Sequence, residues 1–259
     1  MTVKDIVDVL ESFAPLSVQE PWDNSGLAVG SPAQEVHGIL LGFDCTPELV
    51  DEAVASGADM IITHHPLIFG GLKKITPDDP VGLAVMKAVR AGIAVYAAHT
   101  TADKVKTGVS GAMASRLGLV NARVLEPEGG DTGLGMVGDL ETPMTSEDAV
   151  RFVKERFSLK AARCSHPIAV PVKRIAMCGG SGSSLIPAAL ASGAQMYISG
   201  DISYHHFFTG ENFIIMDIGH FESEVDIVSI LFSVITKKFP NFAIRISCRL
   251  RESNPVHYC

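Results

Sequence analysis

The apolar positions along this chain fall into two alternating rhythms. Val3, Ile6, Val7, Leu10 and Phe13 recur at helical spacing and predict a first helix, which Pro15 ends. Val36 to Phe43 is a short apolar run that reads as a buried strand. After it, Thr46-Pro47-Glu48 carries the marks of a helix start: a capping hydroxyl, a proline in the first turn and an acid near the positive helix end. That helix runs to Ser56 and closes on Gly57, and Ala58 to Thr63 is the next strand. A further helix from Asp79-Pro80 to Gly92 leads into a strand from Ile93 to Ala98. Strands alternating with helices of this length predict an α/β protein with mixed, parallel-rich sheets flanked by helices.

Beyond residue 100 the pattern loosens. Residues 107 to 118 read as a short helix rich in Ala and Gly, and Pro127 to Asp131 as an exposed hinge. Thr145-Ser146-Glu147-Asp148 caps a helix reaching Phe157, and Arg163 to Val170 is irregular. Then the first pattern returns. Ala55-Ser56-Gly57-Ala58-Asp59-Met60-Ile61-Ile62 matches Ala191-Ser192-Gly193-Ala194-Gln195-Met196-Tyr197-Ile198 at an offset of 136, with six of eight positions identical. The same offset places Val36 and Ile39 on Val172 and Ile175. The chain therefore reads as two repeated α/β lobes, 1–125 and 126–259. Near the end, Val225, Val228, Leu231, Phe232 and Ile235 form a helical apolar stripe suited to core or subunit interface.

Composition narrows the class. An apolar fraction of 47% against 19% charged residues supports a well-filled core and excludes a disordered chain. A net charge of -8 disfavours a dedicated nucleic-acid binder, whose phosphate contacts need clustered Lys and Arg. Cys45, Cys164, Cys178, Cys248 and Cys259 include no CxxC pair and read as reduced, structural thiols of a cytoplasmic protein. The N-terminus lacks the apolar core of a signal peptide, and no apolar run is long enough to span a membrane.

The repeated halves differ where chemistry is expected. The strand at Ile61-Ile62-Thr63 ends in His64-His65-Pro66, whereas its counterpart ends in Ser199-Gly200-Asp201. Adjacent side chains at a strand end point apart, but both converge on one site once the backbone turns out of the sheet. A later strand in each half runs into a histidine with an acid four residues on: His99 with Asp103, and His220 with Glu224. Four residues is one helical turn, so each pair can share a face. Either pair alone is most simply structural. Two at equivalent repeat positions, beside His64-His65, favour a metal cluster. Mixed histidines and carboxylates without Cys suit a dinuclear hydrolytic centre better than a closed structural zinc site.

Taken together, Trp22-Asp23-Asn24-x-Gly26-Leu27, Thr63-His64-His65-Pro66, His99-Thr100-x-x-Asp103, Gly200-Asp201-x-x-Tyr204-His205 and Gly219-His220-x-x-x-Glu224 resemble the dinuclear metal-centre proteins known as GTP cyclohydrolase 1 type 2 homologues. The resemblance covers essentially the whole chain. It implies two divalent metal ions bound by His64, His65, Asp103, His220 and Glu224, in a toroidal homohexamer whose metal sites face an internal cavity. Zn, Fe, Mn, Co and Ni all accept this ligand set. About 30 residues separate Gly118 from Asp148, which matches the compact relatives that lack a large inserted domain. Thr101-Ala102 stands where many relatives have Asn-Leu, a departure that touches local packing more than the ligand.

The expected function is a metal-dependent hydrolase of a small, nucleotide-like or phosphorylated substrate, with the metal site between the lobes. His205 and His99 are the candidates for moving protons, His99 as a group that hydrogen-bonds a ligand rather than the metal. The rival is a regulatory or nucleic-acid-binding toroid that uses its metals structurally. Two further motifs stay open. The Trp22-Asp23-Asn24 loop is either a turn pinned by an aromatic anchor or a substrate contact. Gly179-Gly180-Ser181-Gly182-Ser183-Ser184 is either a plain strand-to-helix turn capped by a serine or a phosphate cradle lacking the P-loop lysine. His37, His166, His206 and His257 have the bland reading of surface or packing residues.

Overall fold

The computed structural model describes residues 1–258. Along the chain, α1 (Val3–Phe13) precedes β1 (Gly26–Val29), β2 (Gly38–Leu41), α2 (Pro47–Ser56), β3 (Met60–Thr63), α3 (Pro80–Ala91) and β4 (Ala94–Ala97). Next come α4 (Thr100–Lys104), α5 (Val109–Leu117), β5 (Val120–Gly129), β6 (Thr132–Met144), α6 (Ser146–Phe157), β7 (Arg163–Cys164) and β8 (Val172–Ser181). The last stretch holds α7 (Ile186–Ala191), β9 (Met196–Gly200), β10 (Ile214–Asp217), α8 (His220–Glu224), α9 (Ile227–Lys238) and β11 (Ala243–Ile246). Two compact units form, one from Met1–Ala102 with Ile227–Pro255, the other from Asp103–Asp226 with the chain end from Val256. No helix among the described residues is long and apolar enough to cross a membrane.

The first unit is a five-stranded sheet in the order β1-β4-β3-β2-β11. Its four strands from β4 to β11 run parallel, and β1 closes one edge antiparallel to β4. All residues of β2, β3 and β4 are buried, as a sheet covered on both faces requires. Leu40, Ile61 and Val95 pack with Leu49, Val50 and Ala53 of α2 and Ala84, Val85 and Ala88 of α3. The helix starts behave as their sequences dictate. Thr46 accepts from the Leu49 amide, Asp79 from the Gly82 amide, and Gly57 and Gly92 end the helices in the left-handed conformation.

The second unit is a six-stranded sheet in the order β5-β6-β8-β9-β10-β7. Its parallel core, β8-β9-β10, is flanked by antiparallel β6 and β7. Met113 and Leu117 of α5 and Ala149, Val153 and Phe157 of α6 fill one layer of its core with Ile175, Met177, Met196 and Ile198.

The hinge expected at Pro127 to Asp131 is instead the turn of the long β5–β6 hairpin, and residues 125 and 126 lie within β5. A Gly-rich acidic run suits a hairpin tip as well as a linker, because both need positive φ and exposure. Gly129 and Gly130 supply that φ here.

The repeat is carried into the hydrogen-bond register. In the first unit Ile39 pairs with Met60 and Leu41 with Ile62; in the second Ile175 pairs with Met196 and Met177 with Ile198, each partner shifted by 136. Even a side-chain bond recurs. The Asp59 carboxylate accepts from the His37 and Gly38 amides, and the Gln195 amide oxygen accepts from those of Lys173 and Arg174.

Candidate metal centre

In the first unit, the chain leaves β3 by curling at its end. The Thr63 hydroxyl donates to the His65 carbonyl at 2.8 Å, and the Phe43 carbonyl accepts from both the His64 and His65 amides. Strand alternation is thereby broken, and the two imidazoles converge with ring centroids 4.9 Å apart. His99, just beyond β4, joins them with its ring 5.4 Å from each. One ligand atom from each of His64, His65 and His99 lies within 4.8 Å of the others.

Each of these rings is oriented from behind. His64 Nδ1 donates to the Ala98 carbonyl at 2.9 Å, His65 Nδ1 to Asp44 Oδ1 at 2.7 Å and His99 Nδ1 to Asp23 Oδ1 at 2.7 Å. Carbonyl and carboxylate oxygens only accept, so Nδ1 carries the proton and Nε2 the lone pair. This is the tautomer a metal-binding imidazole needs. Phe43 packs against both neighbouring rings, 5.7 Å from His64 and 4.7 Å from His65.

Asp23 explains its loop. Burial raises its carboxyl pKa, but hydrogen bonds from His99, Ser25 and Thr100 overcome this and hold it well below the usual carboxylate range. It therefore stays anionic behind His99. Trp22 is not the anchor of this turn, since it is 63% exposed. The loop is pinned by Asp23, and by Asn24, whose side-chain amide donates to the Ile68 carbonyl at 2.6 Å.

In the second unit, His220 opens the one-turn helix α8 and Glu224 closes it. His220 Nε2 lies 3.0 Å from Glu224 Oε2, and its Nδ1 donates to Asp201 Oδ2 at 2.7 Å. Glu224 is buried, and a carboxylate oxygen of Asp103 lies within 4.8 Å of one of its own.

The glycine run serves this carboxylate. A Cβ at Gly180 would stand 2.2 Å from Glu224 Oε1, and one at Gly179 would stand 3.2 Å from Glu224 Cγ. A Cβ at Gly200 would meet the His220 backbone at 2.8 Å. The amides of Gly179, Gly180 and Gly182 donate to the hydroxyls of Ser110, Ser223 and Ser199. They are therefore engaged within the fold, which favours the plain turn over a phosphate cradle. The 3₁₀ turn at Ser183–Leu185 that follows has no side-chain cap, so neither serine plays the expected capping role.

His205 lies on an exposed 3₁₀ turn, Tyr204–Phe207, where a helix start was expected. Its ring sits 5.4 Å from Tyr204 and 6.4 Å from Phe208, and it belongs to none of the metal-capable groups among the described residues. His37 pairs with Asp59 at the surface, as a structural histidine does. Sequence reasoning missed Asp44 as the residue behind His65. Its only local signal is an acid directly after a buried strand.

The donor chemistry fits divalent metal ions: oriented neutral imidazoles in one unit, buried carboxylates with an imidazole in the other. The DUF34/NIF3 (NGG1p interacting factor 3) family profile matches residues 1–255. A protein named GTP cyclohydrolase 1 type 2 homolog from Clostridium acetobutylicum is 35% identical over 229 residues, covering 86% of this chain and 85% of that protein. A protein of the same name from Streptococcus pneumoniae is 30% identical over the full length of both. The solved structure of a Staphylococcus aureus hypothetical protein superposes with a TM-score of 0.92 at 26% identity, covering 100% of this chain and 99% of that one. The chain belongs to the DUF34/NIF3 family.

Proposed function

We propose that this chain is a metal-dependent hydrolase of a small, nucleotide-like or phosphorylated substrate, in which the imidazoles of the first unit and the Asp103–His220–Glu224 set of the second act together on two divalent ions. His64, His65, Asp103, His220 and Glu224 are the proposed ligands. The observation that carries this reading is the shared anchoring of four histidines. His64, His65 and His99 each engage Nδ1 with a carbonyl or carboxylate, which prepares Nε2, and His220 engages Nδ1 with Asp201 while its Nε2 faces Glu224. His37 engages Nδ1 with Asp59 in the same way but belongs to none of the metal-capable groups among the described residues, so the anchoring gains its meaning from the clustering of these four.

Bound there, the ions would supply Lewis-acid polarisation of a carbonyl or phosphoryl oxygen and lower the pKa of a water. The protein's own groups do the rest. Asp44 and Asp201 keep His65 and His220 in register, and Phe43 shields the first-unit cluster on one side. His99, backed by an anionic Asp23, is suited to take up and return a proton at Nε2. His205, on its solvent-facing turn, is the second proton-transfer candidate. The names of the relatives support a nucleotide-like substrate, and the resemblance supports a toroidal homohexamer.

The test is a screen of metal-loaded protein over nucleotides, phosphoesters and cyclic amides. Turnover should vanish on chelation and return with metal. His99→Ala should keep its metal and lose about 10²-fold or more in rate. Fully metallated protein that hydrolyses none of these classes would favour the regulatory toroid instead.

A further inference from the structure

Two large aromatic side chains flank the first-unit imidazoles without being buried. Trp22 is 63% exposed and Phe69 53% exposed. Their rings stand 5.9 and 5.3 Å from the His99 ring, at interplanar angles of 72° and 81°. Phe69 also lies 6.2 Å from the His65 ring.

Leaving this much apolar surface in water is unfavourable, and a core-packing role would have buried it. Nor is the exposure that of a loose loop. Asp23, next to Trp22, accepts from His99, from the Thr100 amide and from the Thr100 and Ser25 hydroxyls, and Ser25 Oγ in turn accepts from the His99 amide. Asn24 then ties this loop to Ile68, the residue before Phe69. The residues beside both rings are thus tied down by the side chains of one short stretch, Asp23 to Ser25, which bond His99, Thr100 and Ile68, and this is how a binding surface is made rigid before its ligand arrives.

We infer that Trp22 and Phe69 form an aromatic rim that stacks a planar, unsaturated ring of the substrate beside His99. This rests on the reading of the imidazole cluster as a hydrolytic site and adds to it a substrate class and two specificity residues. Aromatic faces offer a heterocycle an area and polarisability that a sugar phosphate cannot use. Asn24 acts as a positioning residue, holding the two loops in register.

Trp22 is the sole tryptophan, so its emission reports stacking directly. Metal-loaded protein is titrated with guanosine 5′-monophosphate and, separately, with ribose 5-phosphate, and affinities are repeated by calorimetry. The nucleotide should quench Trp22 saturably and ribose 5-phosphate should not. Phe69→Ala, at an exposed position, should fold normally, keep its metal and bind the nucleotide about tenfold more weakly. Equal affinity for the two probes, or no quenching by the nucleotide, would overturn the rim. So would an unchanged nucleotide affinity in both Phe69→Ala and Trp22→Ala. Metal content measured on the same samples separates the two ideas: full metal without quenching removes the rim alone, whereas absent metal removes the hydrolytic reading.

Discussion

The β2-α2-β3 segment of the first unit and the β8-α7-β9 segment of the second share their strand register residue for residue, yet they end in opposite ways. The first fills its strand ends with Phe43-Asp44 and His64-His65. The second has Gly179-Gly180 and Gly200-Asp201 at the same offset. One end is built from bulk and donors, the other from missing side chains. Asp44 supports His65 from one strand end, whereas at its repeat position Gly180 opens room for Glu224, a residue from a distant helix. A duplicated scaffold has thus acquired two complementary donor sets without disturbing its core pairing. The conserved part is what packs, and the divergent part is what points out of the sheet.

The sharpest way to break this contrast is a reciprocal change at the matched positions 44 and 180. Gly180→Ala places a Cβ 2.2 Å from Glu224 Oε1 and does so at a φ of +59°, so strain adds to the clash. We expect a loss of about 2 kcal/mol or more in stability, read by denaturant unfolding, together with loss of metal. Asp44→Ala has no such backbone demand. It should unfold close to wild type while binding metal about 10- to 100-fold more weakly, because His65 loses its orienting partner. Equal stability for the two variants would show that the glycine run is not a bed for Glu224.

That pair also marks where the sequence is legible. Thr46-Pro47, Asp79-Pro80, Gly57 and Gly92 announce their helix ends locally, and the helices lie where those residues place them. The β5–β6 hairpin is hidden because β5 is mostly exposed and β6 is interrupted by Gly133, Gly135 and Gly138, which blurs the alternation. His64, His65, His99, Asp103, His220 and Glu224 stand out as residue types at repeated spacing. Their supports do not, since Asp23 lies 76 residues from His99 and Gly180 lies 44 from Glu224. Only the fold brings such partners together.

A smaller effect sharpens the same comparison. Asp59 and Gln195 make the same pair of bonds to backbone amides, but only Asp59 titrates. Burial raises its pKa, but hydrogen bonds from His37 and the Gly38 amide outweigh this and leave it below its ordinary 3.8. A depressed carboxyl stabilises the fold above the unfolded value and loses that contribution as pH falls through the folded one. Asp59→Asn should therefore flatten the acid limb of a stability-versus-pH curve by about 1 kcal/mol or less, as expected of a partly exposed pair. Gln195→Asn carries no charge change and should leave the slope of that limb as it is. An unchanged acid limb in Asp59→Asn would show that the carboxylate adds nothing beyond its acceptor oxygen.

The central claim is that both donor sets serve metal ions, and elemental analysis of purified protein tests it most directly. The account predicts two divalent equivalents per chain in the wild type and one or fewer in Glu224→Ala, whose circular dichroism should match the wild type. A carboxylate among cations offsets their mutual repulsion, so its removal should release at least one ion. Two equivalents retained in Glu224→Ala, or none in the wild type after purification in metal-supplemented buffer, would contradict it.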